Sequence, residues 1–543
     1  MDKIFLGVDV GTGSVRVGAF DSQGKKRGQG EHAIRIWRPR PDFVEQSSDD
    51  IWRATGKAVH TCLNSGRLNP KSVKGISFDA TCSLVVLGKN FEPITVSPTK
   101  KSNQNVMVWM DHRATRETET INATKHRVLR YVGGKISPEM ESPKLLWLKK
   151  NLKSTWKNAT KFLDLADFMV FRACGNDVRS LCTTVCKWTY LGHEGAAGRY
   201  DMGFFQKIGI QDIFDNEKAA TVSRPMGEVA GELTAASARQ LGLVSGIQIG
   251  VGIIDAHAGG IGSLGPVSRG KKKKGEPFDR AIALIGGTSS CHMAVSTAPR
   301  FIDGVWGPYY GAMIPGLWLN EGGQSATGSL IDYMIRNNAS FLLTSKAAKA
   351  QGQDVYTFLN KMVKKLRSKH GIGIFSHLHM LPDHHGNRSP RANPAASGIV
   401  SGLTLNTTIE ETALWYGATL QAIAYGTRHI IEAMNTKGYD ISQIYMCGGH
   451  LKNEVFIQEH ADVTGCKMIM PKEPEAVLLG AAILGAVAAG EYGDVVSAMR
   501  AMSRVGKVYH PNSATADFHK EKYAVYKEMF KFQDRIHKRM NSV

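Results

Sequence analysis

Two kinds of apolar spacing divide the chain. Short apolar runs bounded by Gly, Thr and Ser predict strands, and longer runs with apolar positions three and four apart predict helices. The opening run, Ile4 to Asp21, sets Leu6 and Val8 before Gly11-Thr-Gly-Ser14, and Val15, Val17 and Ala19 after it. That pattern predicts strand, tight turn, strand. Residues 31–38 are expected to add a third strand. Ser48 to Gly66 predicts a helix, with Asp49 and Asp50 in its first turn, where the helix dipole favours negative charge. Gly75 to Leu87 predicts a strand, a polar turn and a return strand. Trp109 to Arg113 is expected to open a helix running past Glu119. Pro143 to Lys150 and Phe162 to Cys174 predict two further helices, the second starting after Thr160. Residues 247–254 predict a buried strand leading into Asp255-Ala-His-Ala-Gly-Gly260.

The opening plan then repeats. Arg280 to Val295 again runs apolar strand, Gly/Thr/Ser turn, apolar strand, and Ile444 to Asn453 runs a strand into Gly448-Gly449. Two such halves suggest a duplicated domain with a nucleotide held between the copies. Ala413 to Met434 predicts a core helix, Gly480 to Ala486 a close-packed helix, and residues 515–541 a charged helix.

Length and composition narrow the class. A chain of 543 residues is too long for one core, so at least two domains are expected. Hydrophobic residues at 42% and charged residues at 21% exclude a disordered chain. The longest apolar run, Val477 to Gly490, is too short for a bilayer, so no membrane partner is expected. Met1-Asp2-Lys3 leads into a strand without a secretory pattern. The eight cysteines are scattered, with no paired Cys-x-x-Cys units, and read as reduced thiols of a cytoplasmic protein. Cys182 and Cys186 are spaced to share a helix face. The formal charge of +20 raises nucleic acid as a partner. Its dispersal argues against that, and the one dense run, Lys271 to Lys274, lies between glycines as a solvated loop would. A basic surface suits anionic small molecules.

The turn at Gly11, Thr12, Gly13 and Ser14 offers backbone N–H groups and hydroxyls of the kind a triphosphate needs. Asp9, ending the first strand, stands where it could hold Mg2+, and Arg16 where it could meet a transferring phosphoryl group. An ordinary hairpin is the alternative.

Taken jointly and in order, the motifs from Ile4 to about Gly493 resemble the FGGY carbohydrate kinases. The resemblance implies an α/β fold of two actin-like ATPase (ribonuclease H-like) domains with a cleft between them. It implies residues 1–264 on the sugar side, a Lys/Gly-rich connection at 265–279, residues 280–500 on the nucleotide side, and a helical extension at 501–543. Asp9, Gly11, Thr12, Gly13, Ser14 and Arg16 match the first phosphate loop, and Gly286, Gly287, Thr288 and Ser289 the second. Gly448, Gly449 and Asn453 match the adenosine segment. Asp255 matches the catalytic base, a carboxylate that accepts the sugar hydroxyl's proton; a helix cap is the alternative.

Sugar recognition needs several groups converging on hydroxyls, because a buried unpaired polar group is costly. The implied set is Asp79, Thr81, Ser83, Asp111, His112, Lys187 and Glu321. A cap role for Asp111 and an exposed charge for Lys187 stay open. Asp79-Ala-Thr-Cys-Ser83 and Gly386-Asn-Arg-Ser-Pro390 resemble the D-ribulose branch of the family, Arg388 either facing phosphates or pinning its loop. The implied reaction is ATP- and Mg2+-dependent phosphorylation of a pentulose, D-ribulose first, with L-ribulose, D-xylulose or ribitol as alternatives. A non-catalytic actin-like ATP-binding protein is the rival of another class. A homodimer is compatible. Two departures stand out: the lysine run at 271–274, and a loose match just before Pro143.

Overall fold

The computed structural model describes residues 3–196, 198–269 and 276–540. The lysine run Lys271–Lys274 lies outside the described residues.

The first sheet grows from the opening hairpin. Ile4–Val10 pairs antiparallel with Ser14–Asp21 and parallel with Val73–Ala80. The order across the sheet is Val229–Glu232, Gln248–Gly250, Val73–Ala80, Ile4–Val10, Ser14–Asp21, Lys26–Ala33. The second sheet repeats this plan: Ala281–Gly286 pairs antiparallel with Ser290–Ser296 and parallel with Gln443–Gly448. Trp318–Gln324 and Trp306–Tyr310 extend it on one side, Lys467–Pro471 and Val505–Tyr509 on the other.

Two helices fill the space between the sheets, Asp255–Leu264 and Ala476–Ala488. They cross at backbone contact. A Cβ on Gly480 would stand 1.9 Å from the carbonyl oxygen of Ala258, and one on Gly262 1.9 Å from that of Ala476. The small-residue run around Gly480 therefore allows the two helices to touch, which fixes Asp255 relative to both sheets.

Several expected elements differ. The third strand is Lys26–Ala33, not 31–38. Its polar, glycine-bearing sequence hides it, yet Gly30 is needed where the Ser48–Gly66 helix crosses, since a Cβ there would lie 2.1 Å from the Ala58 carbonyl oxygen. The return strand Leu84–Leu87 does not fold back on Val73–Ala80 but joins a separate sheet with Val106–Met107 and Lys161–Asp164. Residues 161–164 are thus strand, and the helix begins at Leu165, capped by Asp164, whose carboxylate accepts the Ala166 N–H. The helix expected from Trp109 begins only at Thr115, because the Asp111 carboxylate draws the preceding segment onto Val44 and Arg113. The strand expected over 247–254 is broken into Gln248–Gly250 and Ile253–Ile254, both beside Val73–Ala80.

The closing residues join the second half. Val505–Tyr509 is its edge strand. On the Ala516–Met540 helix, the Lys522 ammonium donates to the carbonyls of Phe375 and Leu378 at 2.7 and 2.8 Å. Among the described residues no helix is long and apolar enough to cross a membrane.

Candidate active site

The first hairpin turn is closed by the Gly11 N–H donating to the Ser14 carbonyl at 3.0 Å. Thr12 is held from two sides: the Gln46 amide donates to its carbonyl at 2.7 Å, and the Trp109 indole N–H to its hydroxyl at 3.0 Å. Ser14 donates to Glu31 at 2.8 Å, and Gly13 is exposed at the tip. Register places Asp9 beside Asp79 on one side and Arg16 on the other. Arg16 donates to Asp9 through Nε at 2.9 Å and to Glu475, just ahead of the Ala476–Ala488 helix, at 3.0 Å. Burial pulls the Arg16 pKa down, but Asp9 and Glu475 outweigh it and hold it above its usual value.

Asp79 is fully buried, and both its carboxylate oxygens are without hydrogen-bond partners. Burial first, then the nearby Asp9 and Asp255 carboxylates, push its pKa well above the usual range. Three carboxylates thus converge at one point. Hard oxygen donors in mutual repulsion fit Mg2+, which takes one or two carboxylates together with phosphate oxygens.

Asp255 is the first residue of its helix and is half-buried. One oxygen accepts the Ala256 N–H at 2.6 Å. Burial and the Asp9 charge raise its pKa to about 6, so at neutral pH it is an ionised carboxylate with appreciable basicity. The Asp255 field extends to Cys82, flanked directly by Thr81 and Ser83, and to Cys291 of the second half.

Lys187 ends the Leu181–Lys187 helix and is buried, its ammonium 5.2 Å from the ring centre of Trp306. Burial would lower its pKa; Cys82, Glu321 and Glu139 reverse the sign and hold it well above the usual value. Glu321 lies on Trp318–Gln324 of the second half, and its pKa is raised by burial against the opposing pull of Lys187 and Arg388. Arg388 ion-pairs with Glu139 at 3.2 Å across the two halves and also lies over Trp306. Glu139 resists its burial because Arg388, Lys187 and His112 hold its pKa below the usual value. The His112 ring nitrogen is 4.0 Å from Glu139. Charges of alternating sign from both halves therefore face one another beside Asp255.

Thr81 and Ser83 share a hydroxyl–hydroxyl bond of 3.1 Å, and Ser83 accepts the Trp109 N–H. Asp111 stands apart. Its two oxygens accept from Val44, from the Arg113 backbone and from the Arg113 guanidinium, at 2.6 to 3.1 Å. A carboxylate has about four lone-pair sites, and these contacts fill them. Asp111 holds the Val108–Ala114 loop through these contacts, and we propose that it positions this loop rather than binding the sugar.

On the other side, Gly286 pairs with Gly448 in register, and Gly448 has φ of 94°. A Cβ on Gly448 would lie 2.2 Å from the Gly286 carbonyl oxygen, so the two glycine segments meet backbone to backbone. Ser289 accepts the Gly287 N–H at 2.9 Å, and the Thr288 carbonyl accepts the Thr327 N–H at 2.9 Å. Gly287, Thr288 and Gly449 are exposed. The Asn453 side chain is committed elsewhere: it accepts the Phe456 N–H at 3.1 Å, capping the Glu454–Thr464 helix, and donates to Tyr416 at 2.7 Å. It frames the glycine segment. Arg16 of the first hairpin acts on Cys447, next to Gly448, so both phosphate-type hairpins border one junction.

Glu139, Trp306 and Glu475 are site-bordering residues that the sequence does not signal. Each is identified by a partner far along the chain: Arg388 lies 249 positions from Glu139, Arg16 459 from Glu475, and Lys187 119 from Trp306.

Two sheets of one plan, each presenting a glycine hairpin to a shared carboxylate junction, define a two-domain actin-like fold of the kind that transfers phosphoryl groups. The profile of the N-terminal domain of the FGGY family of carbohydrate kinases matches residues 4–262, and that of its C-terminal domain matches residues 282–489. An FGGY carbohydrate kinase domain-containing protein of Xenopus laevis is 46% identical over 536 residues, 97% of this chain and 96% of that protein. A D-ribulokinase of Saccharomyces cerevisiae is 38% identical over 517 residues, 90% of this chain and 72% of that protein. The crystal structure of a xylulose kinase from Rhodospirillum rubrum superposes with a TM-score of 0.77 at 18% identity, covering 98% of this chain and 99% of that one. The chain belongs to the FGGY family of carbohydrate kinases, and is a sugar kinase with two actin-like ATPase domains.

Proposed function

We propose that this kinase transfers the γ-phosphoryl group of ATP to the 5-hydroxyl of D-ribulose, giving D-ribulose 5-phosphate and ADP. The observation that carries the reaction is the half-buried Asp255 carboxylate, with a pKa near 6, between the Asp9 hairpin and the charged Lys187/Glu321 wall. Asp255 orients the hydroxyl and accepts its proton as the oxygen attacks phosphorus. Lys187, Thr81, Ser83 and Asp79 bind the sugar from the first half's side and Glu321 from the second, with His112 at the rim. Gly11, Thr12, Gly13, Ser14 and Arg16 face the triphosphate from one hairpin, and Gly287, Thr288 and Ser289 from the other. Gly448 and Gly449 receive the adenosine. Asp9, with Asp79 behind it, would hold Mg2+, which when bound offsets charge on the phosphates. Closure of the halves excludes water, which would otherwise accept the phosphoryl group.

The choice of D-ribulose is supported by the likeness to the yeast D-ribulokinase and by the Thr81-Cys-Ser83 and Gly386-Asn-Arg-Ser-Pro390 segments. A coupled ADP-release assay over D-ribulose, L-ribulose, D-xylulose and ribitol tests it. D-Ribulose is expected to give the highest kcat/KM. A clearly higher value for another sugar moves the assignment to that sugar, and slow ATP turnover indifferent to every sugar overturns the reaction.

A further inference from the structure

Behind the sugar wall lies a cluster that phosphoryl transfer does not use. Cys182 and Cys186, one turn apart on the Leu181–Lys187 helix, meet His257 of the Asp255–Leu264 helix. The two sulfurs and a ring nitrogen all lie within 4.8 Å of one another, and each residue is at most 1% exposed. The Cys186 sulfur is 3.5 Å from Nε2 of His257.

That edge has a specific length. Zinc binds thiolate sulfur at about 2.3 Å and imidazole nitrogen at about 2.0–2.1 Å, and a tetrahedral angle between them separates S and N by about 3.5 Å. The Cys186–His257 edge therefore has the length of one edge of a zinc tetrahedron, and the Cys182 sulfur lies within 4.8 Å of both other atoms. Two soft sulfurs and one imidazole select a soft d10 ion and reject Mg2+, which demands oxygen donors. Nδ1 of His257 is buried without a hydrogen-bond partner, so local hydrogen bonding does not account for this ring in full.

The placement connects the cluster to the reaction. Cys186 immediately precedes Lys187, and His257 lies two residues after Asp255 on the same helix. We propose that Cys182, Cys186 and His257 form a binding site for a zinc-class ion, and that filling it inhibits the kinase. The two thiols give up their protons to solvent and form two metal–sulfur bonds; Nε2 of His257 supplies the third. Nothing is oxidised or reduced. Drawing the two helices onto one ion shifts Lys187 and Asp255 from their working positions. The inhibitory half rests on the roles proposed for those two residues; the binding half does not.

The test uses the full-length enzyme and Cd2+ as an optical probe, with Zn2+ as the inhibitor. The wild type is expected to bind one Cd2+ with thiolate-to-metal charge-transfer absorbance. Zn2+ is expected to displace it, to reduce turnover in step with its occupancy, and to be reversed by a chelator. Cys182→Ser and Cys182→Ala, which alter no residue of the reacting site, are expected to keep basal turnover while losing the absorbance and at least ten-fold in Zn2+ sensitivity. Absence of thiolate absorbance in the folded wild type overturns the site. Equal absorbance and equal inhibition in both folded variants also overturn it. Binding without inhibition overturns the regulatory half. Failure of all sugars as substrates would remove the proposed function yet leave the cadmium signal intact, so the two failures are distinguishable.

Discussion

Replacing Gly480 by alanine tests how the crossed helices position the base. The new Cβ would lie 1.9 Å from the carbonyl oxygen of Ala258, on the helix that begins at Asp255. Ordinary contact starts at 3.4 Å, so the helices must separate by about 1.5 Å. The obstacle is backbone, which cannot rotate aside as a side chain can. Alanine's better helix propensity returns about 1 kcal/mol, while overpacking costs about 1–3 kcal/mol. A net loss of up to about 2 kcal/mol is expected, read as a lower denaturation midpoint. The effect on catalysis is larger, because a misplacement of about 1 Å in a reacting group lowers rate about 100-fold. Steady-state kinetics should therefore show kcat reduced about 100-fold. Gly493→Ala is the control, since a Cβ there meets nothing within 4 Å. Wild-type kcat and wild-type stability in the Gly480→Ala enzyme would refute the idea that backbone contact between these helices locates Asp255.

Two further outcomes follow from the charges around the junction. Asp111→Asn leaves the buried Arg113 guanidinium short of its main partner, and breaking such a pair costs about 3–5 kcal/mol; chemical denaturation should show that loss, whereas a raised sugar KM at unchanged stability would return Asp111 to the sugar. Only ionised Asp255 can accept a proton, so with its pKa raised to about 6 by burial and Asp9, kcat should fall as pH drops through that value. A pH profile flat down to pH 5 would contradict this.

Much of the fold was legible in the chain because both hairpins combine an apolar strand with a glycine turn. The helix Ser48–Gly66 was legible to the residue, since its cap and acidic first turn are local signals. The strand Lys26–Ala33 was not, because its glycines answer to a helix packed across it and its polar residues to an exposed edge. The segment from Trp109 misled for a similar reason: it reads as helical, but a buried carboxylate bound to a distant backbone holds it open. At the site, Asp9, Asp79, Asp255, Lys187 and Glu321 are brought together by a topology that no local pattern encodes. The spacing spoke of their chemistry only through the family's motif order. Glu139 carries no motif at all, and only its pairing with Arg388 from the other half marks it.

The account rests on Asp255 as the proton acceptor in sugar phosphorylation. The direct measurement is D-ribulose-dependent ADP release by Asp255→Asn, alongside ATP binding and the denaturation midpoint of the same variant. The account predicts intact ATP binding, a fold at least as stable as the wild type's, and kcat lowered about 100- to 10,000-fold. Near-wild-type turnover by the folded Asp255→Asn enzyme would contradict it.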